Sequence, residues 1–150
     1  MNKWTIKKFD ELTLRELYEI TRSRFEVFIH EQNIVCEEDL DGLDDKCTHI
    51  FLEENNRIVA YSRIVPQGLN YENVSIGRVL VLNEFRRKGI AQEMLMVAIN
   101  YIKENIKDNK IVLSFQLYAK GLYASVGFVP YSDVYEEAGI PHIKMYKNIV

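Results

Sequence analysis

The segment RRKGIAQEML, Arg86–Leu95, sets three adjacent cations and a glycine at the mouth of a run with helical spacing, in a chain of net charge -3. Glycine costs a helix roughly 1 kcal/mol relative to alanine, so Gly89 in a first turn needs a reason. Just upstream, VSIGRVLVL is apolar on both faces and reads as a central strand. Downstream, Ile90, Met94, Val97, Ala98 and Tyr101 recur at helical intervals and give the following helix one face to bury. A strand that runs into a helix through a basic, glycine-containing turn is suited to hold an anion. The first amides of a helix have no partners within it and lie at the positive end of its dipole. With no side chain at Gly89 a phosphate can approach those amides closely, and Arg86, Arg87 and Lys88 add charge that draws it in. A basic helix start that merely faces water fits the same residues equally well. Neither the P-loop pattern G-x-x-x-x-G-K-S/T nor the dinucleotide pattern G-x-G-x-x-G occurs, so spacing alone names no nucleotide.

The 150 residues suit one domain with a core of its own. The mildly acidic balance argues against nucleic acid as a partner, since three clustered cations make too small a footprint. No apolar run reaches the length of a membrane span, and MNKWTIKKFDEL lacks the apolar centre of a signal peptide. The expected setting is therefore cytoplasmic, with no membrane partner. There Cys36 and Cys47 read as reduced, structural thiols. Together with His49 they match no zinc-ligand spacing, so no metal is expected.

Elsewhere, WTIKKF alternates like a first strand. Thr13 and Glu16 make a capping box that opens a helix carrying Leu17, Ile20, Phe25, Phe28 and Ile29. CEEDLDGLDDKC is polar and turn-rich, as a long loop beside an active site would be. THIFLEE and RIVAYSRIV flank the turn NN and mark a hairpin. KIVLSFQL reads as a strand, KGLYASV as a short helix, and GFVPYSDVY and PHIKMYKNI as two closing strands. Helices interleaved with strands around a mixed sheet make an α/β (α+β) domain. The hydrophobic closing strands also offer a surface on which two copies could pair as a homodimer.

With those elements in place, VLVLNEFRRKGIA resembles the acyl-CoA-binding segment of the GNAT superfamily of N-acetyltransferases, whose signature is R/Q-x-x-G-x-G/A. Arg86, Gly89 and Ala91 fill its defined places. Downstream, LYASVGF is similar to the same superfamily's LY-x-x-x-GF motif, and Gln116 stands where many members have an asparagine. RFEVFIHEQ, DGLDDKCTHI, VAYSRIV, IGRVLV and VYEEAGIPHIKM carry the resemblance from Arg24 to Met145 and narrow it to the ElaA-like branch. It implies a single GNAT domain over residues 1–150, with a mixed, mostly antiparallel sheet of about six to seven strands and helices on both faces.

The resemblance also implies a chemistry. The strand before the glycine loop splays from its neighbour, and backbone groups at Val79, Leu80 and Val81 pair with the pantetheine arm like an added strand. Amides from Arg87 and Lys88 through Gly89 and Ile90 to Ala91 hold the pyrophosphate, with Arg86, Gln116 and Tyr123 completing the cofactor contacts. A backbone N–H polarises the thioester carbonyl. The implied reaction moves an acetyl group from acetyl-CoA to the primary amine of a small molecule or peptide, by direct attack in a ternary complex. Tyr123 is the usual donor to the leaving thiolate. A phenol near pKa 10 is a weaker acid than a thiol near 8.5, so full transfer is uphill by about 2 kcal/mol and a hydrogen bond is expected instead. No glutamate stands on VSIGRVLV to serve as base, only Arg78. Glu31 and His49 are the nearest substitutes, and a water relay would also serve. Arg63 and Arg78 either bind an acidic acceptor group or pair with Asp41, Asp44 or Asp45, because an unpaired guanidinium in an apolar strand is costly. The loop acids from Glu37 to Asp45 favour a cationic acceptor. YEEAGIPH is expected to close the site's edge, with His142 structural. A non-catalytic module that binds acyl-CoA as a sensor fits the same motifs, although it has no need of Tyr123.

Overall fold

Asn55 and Asn56 both adopt left-handed backbone, at φ 51° and 64°, the combination a two-residue type I′ hairpin demands. They join β2 (Thr48–Glu54) to β3 (Arg57–Val65) in antiparallel register. The computed structural model describes residues 2–35 and 37–150, so Cys36 and its expected structural role lie outside it. β1 (Thr5–Lys8) adds to the outer edge of β2, and β4 (Val74–Val81) adds to β3. Beyond β4 come β5 (Lys110–Gln116), β8 (Ile140–Asn148) and the short β6 (Val129–Pro130), while β7 (Tyr135–Glu137) also pairs with β8. The contact of β4 with β5 is parallel and the others are antiparallel.

α1 (Leu14–Arg24) opens on the expected capping box: Thr13 Oγ1 accepts from the Glu16 N–H at 3.0 Å, and Glu16 Oε1 accepts from the Thr13 N–H at 2.8 Å. The helix then widens into a π-helical segment, Phe25–Glu31, closed by the Gln32 N–H donating to Val27 O at 2.9 Å. A π turn holds more residues than an α turn, so it resets the apolar stripe. Phe25, expected on the buried face, is 51% exposed, and Val27 is buried in its stead. α2 (Ile90–Asn105) and the short α3 (Lys120–Ser125) complete the helices. β3 is buried from Ile58 to Val65, and α1 and α2 both pack on it, so they cover its two faces. Among the described residues no helix is long and apolar enough to cross a membrane.

The closing segment differs from its reading. GFVPYSDVY is not one strand: Val129 and Pro130 pair with Tyr146 and Met145, the Tyr131 N–H still donates to Lys144 O at 3.0 Å, and Tyr135 already belongs to β7. A separate hairpin forms downstream, with Ala138 and Gly139 in left-handed backbone between β7 and β8. β4 and β5 meet at only two register pairs, Val74–Ile111 and Ser75–Val112, and then diverge.

The acidic loop is tied to this scaffold by a closed ring of ion pairs. Arg24 reaches Asp39 at 3.0 Å and Asp44 at 2.7 Å; Arg63 reaches Asp44 at 2.8 Å and Asp41 at 2.5 Å; Arg78 reaches Asp41 at 3.3 Å and Asp39 at 3.0 Å. Each arginine thus holds two aspartates and each aspartate two arginines, leaving no net charge. Arg24 and Arg63 are almost fully buried, where an unpaired guanidinium would be prohibitive. Asp45, by contrast, is exposed and outside the ring. Burial opposes ionisation of Asp41 and Asp44, but the bonds and charges of their arginine partners outweigh it and hold both carboxyls below their ordinary range. A depressed folded-state pKa contributes stability that is present above the unfolded value, about 3.9, and is lost as pH falls through the folded one. Acid unfolding is therefore expected to set in below about pH 4. Arg63→Leu, which leaves Asp41 and Asp44 with one arginine each and the ring one positive charge short, is expected to lower the unfolding free energy by about 3 kcal/mol in urea titrations at neutral pH.

Candidate functional site

The divergence of β4 from β5 opens two cavities that share a wall. The first, about 370 Å³, is bounded by Val79, Leu80 and Val81 of β4, by the turn and first residues of α2 from Arg86 to Gln92 except Lys88, and by Leu122 and Tyr123 of α3. The second, about 200 Å³, lies between the π-helical segment, the acidic loop, residues Ile76 to Val79 of β4, the end of β5 and the β7–β8 hairpin. Gln32, Val79, Tyr118, Ala119 and Tyr123 line both.

β4 crosses this junction through a bulge. Arg63 faces Gly77 and Tyr61 faces Leu80, so Arg78 and Val79 together oppose the single residue Ser62. Arg78 takes a left-handed φ of 52°, which re-aims the strand at the shared wall. Its guanidinium turns away to Asp39 and Asp41.

Below the junction, Arg87 and Gly89 both have left-handed backbone, at φ 64° and 77°. Alternation of this kind gathers successive N–H groups into a concave anion-binding nest. Gly89 caps α2, and the first helical bond is donated by the Glu93 N–H to Gly89 O at 3.1 Å, so the amides before it are those a helix leaves without partners. Gly89 is needed for its backbone conformation rather than for space, because a Cβ there would meet no atom within 4 Å. The three cations divide. Arg87 lines the cavity, whereas Lys88 lies over the Phe85 ring, 5.3 Å from its centroid, outside the lining. Arg86 lines it too, but its guanidinium is held by both carboxylate oxygens of Glu31, one at 2.7 Å, and by Val81 O at 2.8 Å.

Tyr123 stands where the cavities join. Its ring stacks on Phe115 at 4.1 Å and meets Phe128 edge-on at 6.0 Å, and the residue is 4% exposed. Its hydroxyl has no hydrogen-bond partner among the described residues. Burial raises its pKa above the ordinary phenol value, which makes it a still weaker acid and a hydrogen-bond donor at any physiological pH. Gln116 lies on the acceptor side: it donates to Gln32 Oε1 at 2.7 Å, and Gln32 donates to the Tyr118 hydroxyl at 3.3 Å.

The two candidate bases are placed elsewhere. Glu31 is engaged with Arg86, whose hydrogen bonds hold its carboxyl below the usual range, and it lines neither cavity. His49 is buried on β2, between the Tyr61 hydroxyl at 2.7 Å and Asp44 O at 2.9 Å. Burial lowers its pKa, and it buttresses the ion-pair ring rather than the cleft. Cys47 is likewise structural: its thiol donates to Leu43 O at 3.2 Å, and burial pushes it up to about 11.

As expected, YEEAGIPH stands at the site's edge, with Glu137, Ala138 and His142 in the lining of the second cavity. Two residues escaped the sequence reading. Arg24 carries a signal, since it interrupts the stripe Leu17, Ile20, Phe28 at helical spacing. Ser114 lines the second cavity through chain topology and carries none.

A parted strand pair, a nest of amides at the helix that follows and a buried phenol across the gap thus lie together in one cleft. Residues 16–149 match the acetyltransferase (GNAT) domain family, and the chain belongs to it. Among solved structures, the chain is similar to an acyl-CoA N-acyltransferase from Pseudomonas aeruginosa, at 32% identity and TM-score 0.89, over 97% of this chain and 99% of that one. Escherichia coli ElaA gives 34% identity and TM-score 0.88 over the same shares. A UPF0039 protein of Schizosaccharomyces pombe is 39% identical over 145 residues, 95% of each chain. The chain is thus ElaA-like within the GNAT family.

With Tyr123 sealed by Phe115 and Phe128, its phenol should stay protonated while exposed tyrosines ionise near pH 10. Tyr123→Phe is expected to leave the tyrosinate absorbance of the folded protein at that pH unchanged; a loss of one tyrosine's amplitude would refute the burial effect.

Proposed function

We propose that the protein transfers the acetyl group of acetyl-CoA to the primary amine of an acceptor, both substrates being bound at once. One observation carries this reading: the two cavities share the wall at Val79 and Tyr123, so ligands filling each would touch there. The larger cavity suits the cofactor. The amides of Gly89, Ile90 and Ala91 hold the diphosphate, and the parted edge of β4 from Val79 to Val81 pairs with the pantetheine arm. Since Glu31 already occupies the Arg86 side chain, the diphosphate relies on backbone and on Arg87. The bulged backbone near Val79 offers an N–H to the thioester carbonyl.

The amine nitrogen attacks the carbonyl carbon, a C–N bond forms, the C–S bond breaks, and coenzyme A leaves as a thiolate. Tyr123 stabilises that thiolate by a hydrogen bond. The nitrogen must shed a proton. His142 lines the acceptor cavity, and its Nδ1–H donates to Ile140 O at 2.7 Å, which leaves the Nε2 lone pair to take the proton. The proton finally reaches the thiolate, so the products are an amide and free coenzyme A thiol.

Thiol release from acetyl-CoA, followed over a panel of amines, tests the reading. Tyr123→Phe is expected to lower turnover by roughly a hundredfold with little change in acetyl-CoA affinity; an unchanged rate would remove the phenol from the mechanism. Acetyl-CoA should raise the melting temperature of the protein, and Gly89→Asp should abolish that rise. Persistence of the rise would place the diphosphate elsewhere. Binding without thiol release from any amine would favour a sensor.

A further inference from the structure

Apart from the exposed Asp45, which pairs with Lys46 at 4.0 Å, the loop acids fall into two sets. Asp39, Asp41 and Asp44 are consumed by the arginine ring. Glu37 and Glu38 are exposed and have no ion-pair partner among the described residues, yet both line the acceptor cavity. Glu137 joins them from the β7–β8 hairpin, far away in sequence; it pairs with no lysine or arginine among the described residues, and His142 Nε2, which carries a lone pair, lies 3.8 Å from it. The cavity's one guanidinium, Arg78, is matched by Asp39. Three carboxylates in surplus therefore surround one small opening, where each raises the cost of ionising the others unless a cation sits among them.

Acids on a rim could simply face water. Two features of the same cavity argue otherwise. Its inner end holds the buried Tyr123, whose hydroxyl is unpartnered among the described residues. Its lining also includes the apolar side chains of Phe28, Ile29, Ile34 and Ile76. A buried phenol, apolar walls and exposed carboxylates in one cavity suit an amine, a short methylene chain and a second ammonium. The volume, about 200 Å³, equals the liquid share of roughly seven waters, which suits a short chain.

We infer that the acceptor is a small aliphatic diamine or polyamine: one nitrogen reaches the junction at Val79 and Tyr123, and the distal ammonium is held by Glu37, Glu38 and Glu137. The inference rests on the acyltransferase reading above and specifies its substrate. The distal cation takes no part in bond making, so its effect belongs to binding and KM.

The test compares thiol release from acetyl-CoA with putrescine and butylamine, and with cadaverine and pentylamine, pairs that differ only in the far ammonium. Wild-type protein is expected to prefer the diamine of each pair by about tenfold or more in kcat/KM, mainly through KM. Replacing Glu37, Glu38 and Glu137 together by glutamine should bring the diamine-to-monoamine ratio close to one. Glu137→Gln alone should lower that ratio part of the way, which keeps the test open if the triple variant does not fold. A change in proton transfer through His142 would slow both amines alike and leave the ratio unmoved. Equal use of both amines by the wild type, a preference that survives the triple substitution, or strong preference for a lysine-containing peptide would overturn the diamine assignment while leaving the acyltransferase reading intact. Release of thiol with no amine at all would end both.

Discussion

After Ser75–Val112, strand β4 turns away from β5 and leaves backbone donors and acceptors in the middle of the sheet without a neighbouring strand. Interior edges of that kind are costly unless something pairs with them. Here the gap is held open from two sides. The bulge at Arg78 bends β4, and the ring that grips the Arg78 guanidinium fixes the bend. At the other end the glycine turn swings α2 beneath the strand, with Tyr123 opposite. The parted edge, the nest of amides and the phenol are thus consequences of one divergence, and the first two are complementary to an extended ligand that ends in phosphate.

Charge at the site is sorted by burial. Arg24, Arg63 and Arg78 look like anion ligands but are consumed by aspartates, because a guanidinium drawn into the interior must be paired where it lies. Arg86, the first residue of the basic signature, is held by Glu31 in the same way, which leaves the backbone amides of the turn without that side chain beside them. Glu37, Glu38 and Glu137 escape this pairing and line the acceptor cavity, whereas Asp45, which also escapes it, lies outside that lining. Along the loop, Glu37 and Glu38, without an ion-pair partner among the described residues, come directly before the paired Asp39, Asp41 and Asp44.

The β2–β3 hairpin was legible because two asparagines in a row specify left-handed backbone, and both strands run over the residues read from their composition. The glycine turn at the start of α2 was legible as well, although the sequence pointed to space for a ligand and the structure shows that Gly89 is required for its left-handed backbone. The π-helical turn was not, since nothing in FEVFIHE distinguishes a wider turn from an ordinary one until Val27 and Phe25 are weighed against the sheet beneath them. His49 and Glu31 were chosen as bases for their chemistry and their neighbourhood in the chain. Their partners, Tyr61 and Asp44 for one and Arg86 for the other, come from other segments.

Local backbone preferences, hydrophobic period and capping act between residues a few positions apart, and so most strands, the capping box of α1 and the glycine turn could be read along the chain. Which charges neutralise one another, and which remain to meet a ligand, depends on contacts between segments such as the acidic loop, β4 and the β7–β8 hairpin. Coulomb and hydrogen-bond energies at these distances are set by how the sheet closes and how much water it excludes. No linear spacing encodes that geometry, and it was settled only when the strands came together.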